Sequence, residues 1–469
     1  MPIRRTPRPD VHAAVTTERG RTTVPNRSAV TRRTALALTG AAALPWVHIR
    51  TAAAAGRLNV GAVDHWVPNA NAKLKEQIEA WGAMNKVEVN VDRITTVGAK
   101  LQLTGTAEGQ AGTGHDIMTF IAWDPQSHAS RLVPMDDVMK RLEAKYGPQN
   151  EVCQYLGRAE DHWVVMPSSF SSQYKGPCGR ISLLKQHAGI DVVEMFPVSD
   201  TRTAAADTWT YDTHLKAAAA CYKAGLRFSI GLSTTPDSVD TAGAIMRAFG
   251  AELVNAKGEI VVDSDAMRAC LTHAQELVRY LPPDATSFDD ASNNRDLIGG
   301  KTALIWNPPS AWAVAKRDAP QVAADCWTFP APRGPAGSFT PFLPFHWGVW
   351  QFSKNQTAAK ELIEWLMQRE QVEPRCTVAE GYDIPPFLSM ADFKVWEEVS
   401  PPKGTVYNYI LRPHHHSTAH IACFPAPPEI GVQIYNRGTP ATMFSKLQSG
   451  QSIPQVIAWA KGELEGFVR

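Results

Sequence analysis

Apolar positions along the chain switch repeatedly between two periods. The run LNVGAV, Leu58 to Val63, predicts a buried strand. Leu74, Ile78 and Trp81 follow at i, i+4, i+7, one face of a helix. Val87 to Val91 alternates apolar and polar as a strand, and DIMTFI (Asp116 to Ile121) predicts another. Strands alternating with helices imply an α/β fold with a largely parallel sheet covered on both faces. In such sheets ligands gather outside the carboxyl ends of the strands. The loops at two of those ends pair an acid with a tryptophan: Asp64-His65-Trp66 and Trp123-Asp124. After Val164-Val165-Met166-Pro167 the texture changes to SSFSSQY, a polar segment containing Ser172 and suited to crossing between lobes. Leu215 to Tyr222 is helical and Ala-rich, and Met267, Leu271, Ala274, Leu277 and Val278 form a core-facing stripe.

The stretch Gly299 to Leu366 repeats this grammar. A small loop precedes a buried strand, Ala303 to Trp306, then a polar and aromatic turn from Asn307 to Trp312. A Pro/Gly-rich link (Pro330 to Gly337) leads to a second strand, Trp347 to Phe352. Ala359, Leu362, Ile363 and Leu366 then mark an amphipathic helix. Asn307 and Trp312 are expected to face Asp64, Trp66 and Trp123 across one sheet edge. Proline pairs at 282–283, 308–309, 385–386, 401–402 and 427–428 mark loops.

Composition changes the picture mainly at the N-terminus. Of 469 residues, the first 55 carry nine arginines against two acids, leaving 38 basic and 44 acidic residues in a mildly acidic body. That balance does not suit a phosphate backbone, so no nucleic-acid partner is expected. Thr31-Arg32-Arg33-Thr34, a mild apolar run from Ala35 to Val47, and Ala52 to Ala55 come in the order of an export signal. The paired arginines resemble a twin-arginine signal over 1–55, with cleavage near Ala54 or Ala55 and a periplasmic mature chain. No apolar run reaches the roughly 18 residues that span a bilayer. Seven widely spaced cysteines argue against a disulfide framework or a zinc site and leave room for one or two disulfides.

The ordered pieces DIMTFIAWDPQSHASRLVPMDD, DHWVVMPSSF, LLKQHAGID, DTWTYDTHLKAAAACYKAG, EGYDIPPF and FPAPPEIGVQIYN resemble segments of the family 1 extracellular solute-binding proteins, the capture subunits of ABC importers. The resemblance runs over nearly the whole mature chain. It implies two α/β lobes of the type II-like periplasmic-binding-protein kind, joined by hinge crossovers, with a small-molecule ligand between them. By that similarity lobe 1 is 57–167 plus 303–352, and lobe 2 is 168–302 plus 353–469. It also implies ABC permease subunits as partners, a monomer, no cofactor and no catalysis. One departure stands out. Where the family often has Tyr-Asn after the first crossover, this chain has Lys175-Gly176-Pro177-Cys178-Gly179-Arg180.

Sugars present hydroxyls around apolar C–H faces, so a sugar site needs aromatic platforms and bidentate polar groups. The chain has 14 tryptophans. The candidates are Trp66, Trp123, Trp312 and Trp347 as platforms, with Asp64, Asp124, Asn307 and Ser172 as polar partners. His65 and His346 are candidate donors. His414-His415-His416 and His420 form a metal-like cluster in which His416 and His420 would share one helix face. Pro413 precedes them and no carboxylate is near, so an incidental loop and no metal is expected. No G-x-S-x-G, H-E-x-x-H or phosphate-loop motif occurs; Gly299-Gly300-Lys301-Thr302 lacks the upstream glycine, whose place Arg295 takes. A sugar or oligosaccharide is the expected ligand. A polyamine, an organic acid or a phosphorylated polyol on the same fold, and a secreted glycoside hydrolase with paired carboxylates, stay open as alternatives.

Overall fold

The computed structural model describes residues 56–399 and 410–468. The export signal expected over 1–55 and the proline pair 401–402 lie outside the described residues. In chain order, β1 (Arg57–Val63), β2 (Glu88–Ile94) and β3 (Ile117–Ile121) are separated by the helices Pro68–Asn85 and Lys100–Ala111. β1 pairs in parallel with both β2 and β3, the pairing that helical crossovers produce. A short hairpin, β4 (Arg158–Ala159) with β5 (His162–Trp163), precedes β6 (Met166–Tyr174) and β7 (Pro177–Arg180). Then come β8 (Arg227–Ser229), β9 (Thr302–Trp306), β10 (Cys326–Thr328), β11 (Arg333–Gly334), β12 (Gly337–Val349) and β13 (Thr418–His420).

These strands form two main sheets. A seven-stranded sheet runs β11-β12-β3-β1-β2, with β6 and β13 also paired to β12. A four-stranded sheet runs β10-β7-β9-β8. Both are mixed rather than largely parallel: β12 is antiparallel to β3 and β6, and β7 is antiparallel to β9 and β10. The chain passes between the sheets directly, from β6 through Lys175-Gly176 into β7, and back from β10 through Phe329–Ala331 into β11 and β12. β9 and β10 pair within the four-stranded sheet with β7 and β8, whereas the resemblance groups 303–352 with 57–167.

Two further differences have one cause, the positional meaning of proline. Asn307–Trp312 is not a turn. Pro308 opens the helix Pro308–Asp318, because the first helical turn needs no donor and accepts the fixed φ of proline. The strand expected from Trp347 starts ten residues earlier, at Gly337, despite Pro341 and Pro344. β12 absorbs Pro344 at a register shift against β6 between Leu343 and Phe345. Ser172 stands opposite this bulge: its Oγ accepts from Phe345 N (2.8 Å) and donates to Ser168 O (2.6 Å).

The amphipathic stripes bury as their periods predict. Met267, Leu271, Ala274 and Leu277 of the helix Asp265–Leu277 are buried, as are Ala359, Leu362, Ile363 and Leu366 of Gln356–Leu366. Ser264 caps the first of these by accepting from Met267 N. The buried apolar side chains form one connected cluster. Six of the seven cysteines are buried, and Cys423 is half-buried.

Trp123 is a fully buried packing residue. It sits under the helix Pro428–Asn436, its Nε1 donates to Ala422 O at 3.1 Å, and Tyr155 packs edge-on against it. A Cβ added at Gly431 would lie 2.3 Å from its ring. Gly431→Ala should therefore destabilise the protein by about 1–3 kcal/mol through overpacking. Urea denaturation checks this; an unchanged midpoint would mean that the indole has room to move.

Candidate functional site

Between the two sheets lie two chambers with common walls at Ile121, Pro236 and Asp290. Counting the solvent that opens into them, the first spans about 420 Å³ and the second about 1150 Å³ between their walls. The seven-stranded sheet contributes its strand ends and edges to the first chamber: Val63 of β1, Ile121 of β3, Ser171 and Gln173 of β6, Leu343 and Phe345 of β12. Opposite stand Pro236 and Asp237, Asp290, Asn307 and Ser310, with Trp66 and Tyr382 supplying aromatic surface.

Local sequence explains how these groups are held. Thr235 caps the helix Pro236–Ala248 by accepting from Ser238 N, Pro236 opens it, and Asp237 sits in its first turn, where the helix dipole favours an acid. Asn307 lies at φ 101°, a region asparagine tolerates better than most residues. Its Nδ2 donates to Ser310 Oγ at 2.7 Å, leaving Oδ1 without a partner. Ser171 also has positive φ, 69°, and its N donates to Asp383 Oδ1 at 2.9 Å.

One ion pair underlies this wall. Lys175, 1% exposed, donates from Nζ to Asp240 Oδ2 at 2.7 Å and to Asp237 Oδ1 at 3.3 Å. Burial alone would lower the Lys175 ammonium, but the charges of Asp240 and Asp237 outweigh it and hold it above its usual value. Asn293 Nδ2 donates to the other oxygen of Asp237 at 3.2 Å. Asp240 also accepts from Tyr435 Oη and from Ala422 N. Asp290 has no such support: its Oδ1 is buried and unpartnered. Burial, then the neighbouring charge of Asp237, pushes its carboxyl up to about 7. In the second chamber burial pushes Asp124 up to about 7 as well, and pushes His128 down to about 4. Among the described residues no Lys or Arg lines either chamber.

Ser171, His65 and Asp383 lie close together, yet they do not make a nucleophilic triad. His65 Nδ1 accepts from Val67 N at 2.9 Å, so Nε2 carries the proton and donates to Asp383 Oδ1 at 2.7 Å. No base touches Ser171 Oγ, which has no partner. The arrangement braces the loop after β1 and leaves Ser171 Oγ free to bond a ligand.

Three of the residues singled out from the sequence line the chambers: Trp66 and Asn307 the first, Asp124 the second. The others do not. Trp312 and Trp347 are buried, Trp347 stacking on Phe170 with centroids 6.4 Å apart. His346 is fully buried with neither ring nitrogen partnered, and burial pushes it down to about 3. On strands covered on both faces alternate residues are equally interior, which the linear pattern does not reveal. Ser172 serves the β12 bulge and Trp123 packs under Gly431. Asp64 is exposed and accepts from Asn71 Nδ2 at 2.9 Å, and His65 is committed to Asp383. His414 and His415 lie in the short turn Pro413–His415, His416 ends it in the left-handed region and His420 is in β13. The helix that would align His416 with His420 does not exist.

Sequence reasoning missed Ser171, Gln173, Asp237, Asp290 and Tyr382. Ser171 and Gln173 belong to the polar run SSFSSQY, whose texture was a signal. Asp237 and Asp290 sit in TTPDS and FDDAS, compositions that equally describe helix starts and turns.

The family of bacterial extracellular solute-binding proteins matches residues 76–401 of this chain. Among solved structures, maltose-bound MalE3 of T. maritima superimposes with a TM-score of 0.68 at 17% identity, covering 88% of this chain and 100% of that one. A sugar transporter from Arthrobacter chlorophenolicus A6 with bound laminaribiose gives 0.68 at 14% identity, covering 88% and 100%. The GacH receptor of Streptomyces glaucescens GLA.O, solved unliganded and with acarbose, gives 0.68 at 17% identity, covering 89% and 99%. At these identities the likeness speaks for the fold, the two-lobed α/β periplasmic-binding-protein architecture. No curated protein matches the chain in sequence.

Lys175→Met removes the buried cation and strands two carboxylates. It should cost about 3–5 kcal/mol of stability at neutral pH. Adding Asp240→Asn should recover part of that loss. Chemical denaturation of the single and double variants is the check; an additive double variant would deny the coupling.

Proposed function

Because the chain belongs to the bacterial extracellular solute-binding protein family, we propose that it is the capture component of an ABC importer, holding a sugar or oligosaccharide between its lobes. Members of this family bind solutes rather than transform them. The observation that carries the reading is the first chamber. Trp66, Tyr382 and Phe345 offer apolar faces, while Gln173, Ser171, Asn307 and Asp290 offer hydrogen-bonding atoms and no base touches the one hydroxyl nucleophile. That mixture suits a ring with C–H faces and peripheral hydroxyls. The proteins of like fold named above were solved with maltose, laminaribiose and acarbose.

In this reading the seven-stranded and four-stranded sheets are the cores of the two lobes. The crossovers are Lys175-Gly176 and Phe329–Ala331. A ligand touching both walls stabilises the closed arrangement by contacts that an open one cannot make. The closed form then docks on permease subunits in the membrane. Export of residues 56–469 through the arginine-rich leader, and action as a monomer in the periplasm, complete the proposal. Among the described residues no helix is long and apolar enough to cross a membrane. An organic acid or a phosphorylated polyol fits less well, since among the described residues no Lys or Arg lines either chamber to meet it.

A thermal-shift screen of the purified protein against mono- and oligosaccharides should find a stabilising ligand. Trp66→Ala should weaken its binding by roughly 10-fold or more, the loss of one aromatic platform. Silence across the whole saccharide panel would sink the sugar assignment. Hydrolysis of the ligand would overturn the non-enzymatic reading.

A further inference from the structure

The two chambers carry four carboxylates on their walls, Asp237 and Asp290 in the first and Asp124, Asp289 and the shared Asp290 in the second. Lys175 is sealed behind the wall and already bonded to Asp240 and Asp237. Apart from the Ser171 hydroxyl, which can donate as well as accept, the unpartnered atoms in the first chamber have the same polarity. Asn307, 4% exposed, and Gln173, 5% exposed, each keep a carbonyl oxygen free, and Asp290 keeps Oδ1 free. All three are acceptors. A buried acceptor without a donor is costly, and a buried carboxylate without a counter-charge more so.

A neutral sugar would satisfy the amide oxygens through its hydroxyls. It would leave the carboxylate excess uncompensated. We propose that the solute carries a protonated amine on its saccharide frame, and that Asp290, with Asp237 beside it, receives that ammonium. The inference rests on the saccharide reading above and narrows it to amino sugars. It accounts for a carboxylate left with an unpartnered oxygen inside a chamber whose other acid, Asp237, has both oxygens occupied. It accounts as well for the aromatic faces of Trp66 and Tyr382, which attract a cation as readily as they stack on C–H groups. Burial and like charge now push Asp290 up to about 7; an adjacent ammonium would restore its ionised form and recover that cost on binding.

The test is calorimetric titration of the protein with three saccharide series matched in length from one to four units: glucosamine, its N-acetylated form and glucose. Spermidine serves as a non-saccharide amine. The amine series should bind at least about 10-fold more tightly than its neutral counterparts, the scale of one charge-assisted hydrogen bond. Asp290→Asn should bring that ratio to within about twofold. Affinity for the amine series should rise from pH 5 to pH 7, as Asp290 loses its proton. Neutral sugars binding as tightly as the amines, or a preference unchanged in Asp290→Asn, would overturn the inference and leave the sugar reading standing. Spermidine binding with no response to any saccharide would keep the amine site and overturn the saccharide frame. Failure of all four probes would overturn both.

Discussion

The buried ammonium of Lys175 is the contact on which the cleft depends. It lies in the crossing segment between β6 and β7, where the backbone leaves one sheet for the other, and it is fastened to Asp240 and Asp237 of the helix Pro236–Ala248. Removing a lysine and two aspartates from water is expensive, and the mutual attraction offsets that expense only with close geometry and further hydrogen bonds. Both are present: Tyr435 Oη and Ala422 N complete Asp240, and Asn293 completes Asp237. Helix, crossing strand and the C-terminal segment around 422–435 are thereby held in one arrangement. The price of that arrangement is an acidic wall facing the cleft, with the Lys175 cation behind it already engaged.

The rest of the site follows from how the seven-stranded sheet meets this wall. The Pro344 bulge in β12 re-aims the strand, and Ser172 satisfies the backbone that the bulge frees. The neighbouring Ser171, in the left-handed region, lines the chamber while its amide is held by Asp383. Asp383 in turn holds His65, which braces the loop carrying Trp66. The Trp66 platform and Ser171 are thus held at the same chamber by a chain of buried hydrogen bonds. None of those bonds prepares a nucleophile or a general base. Rigid polar groups on this wall are held ready for complementary ones.

Much of the frame was legible along the chain. The strands at 58–63, 116–121 and 303–306 and the helical stripes at 74–81, 267–278 and 359–366 form where their periods predicted, because burial of a regular face requires that regular spacing. Proline was the weak sign. Pro308 starts a helix where a turn was expected, and Pro341 and Pro344 sit within a strand that was expected to run only from Trp347, since its effect depends on whether the missing donor is needed at that place. The tryptophans were the other weak sign. Trp66 lines the cleft while Trp123, Trp312 and Trp347 lie inside, because a large apolar ring serves a core and a sugar platform equally well.

The order of apolar and polar residues, by itself, determined the elements, the α/β class and the family likeness. These depend on local periodicity and on the sequence of segments, which the linear chain contains in full. Tertiary structure decided which acids meet. Asp237, Asp240 and Lys175 are 62 and 65 residues apart across the ion pair, and Asp290 joins them from a turn further on. Whether a carboxylate is a helix cap, a salt-bridge partner or an unpaired charge in a cavity is set by neighbours distant in sequence and by the water that folding excludes, and neither is written at the position of the residue itself.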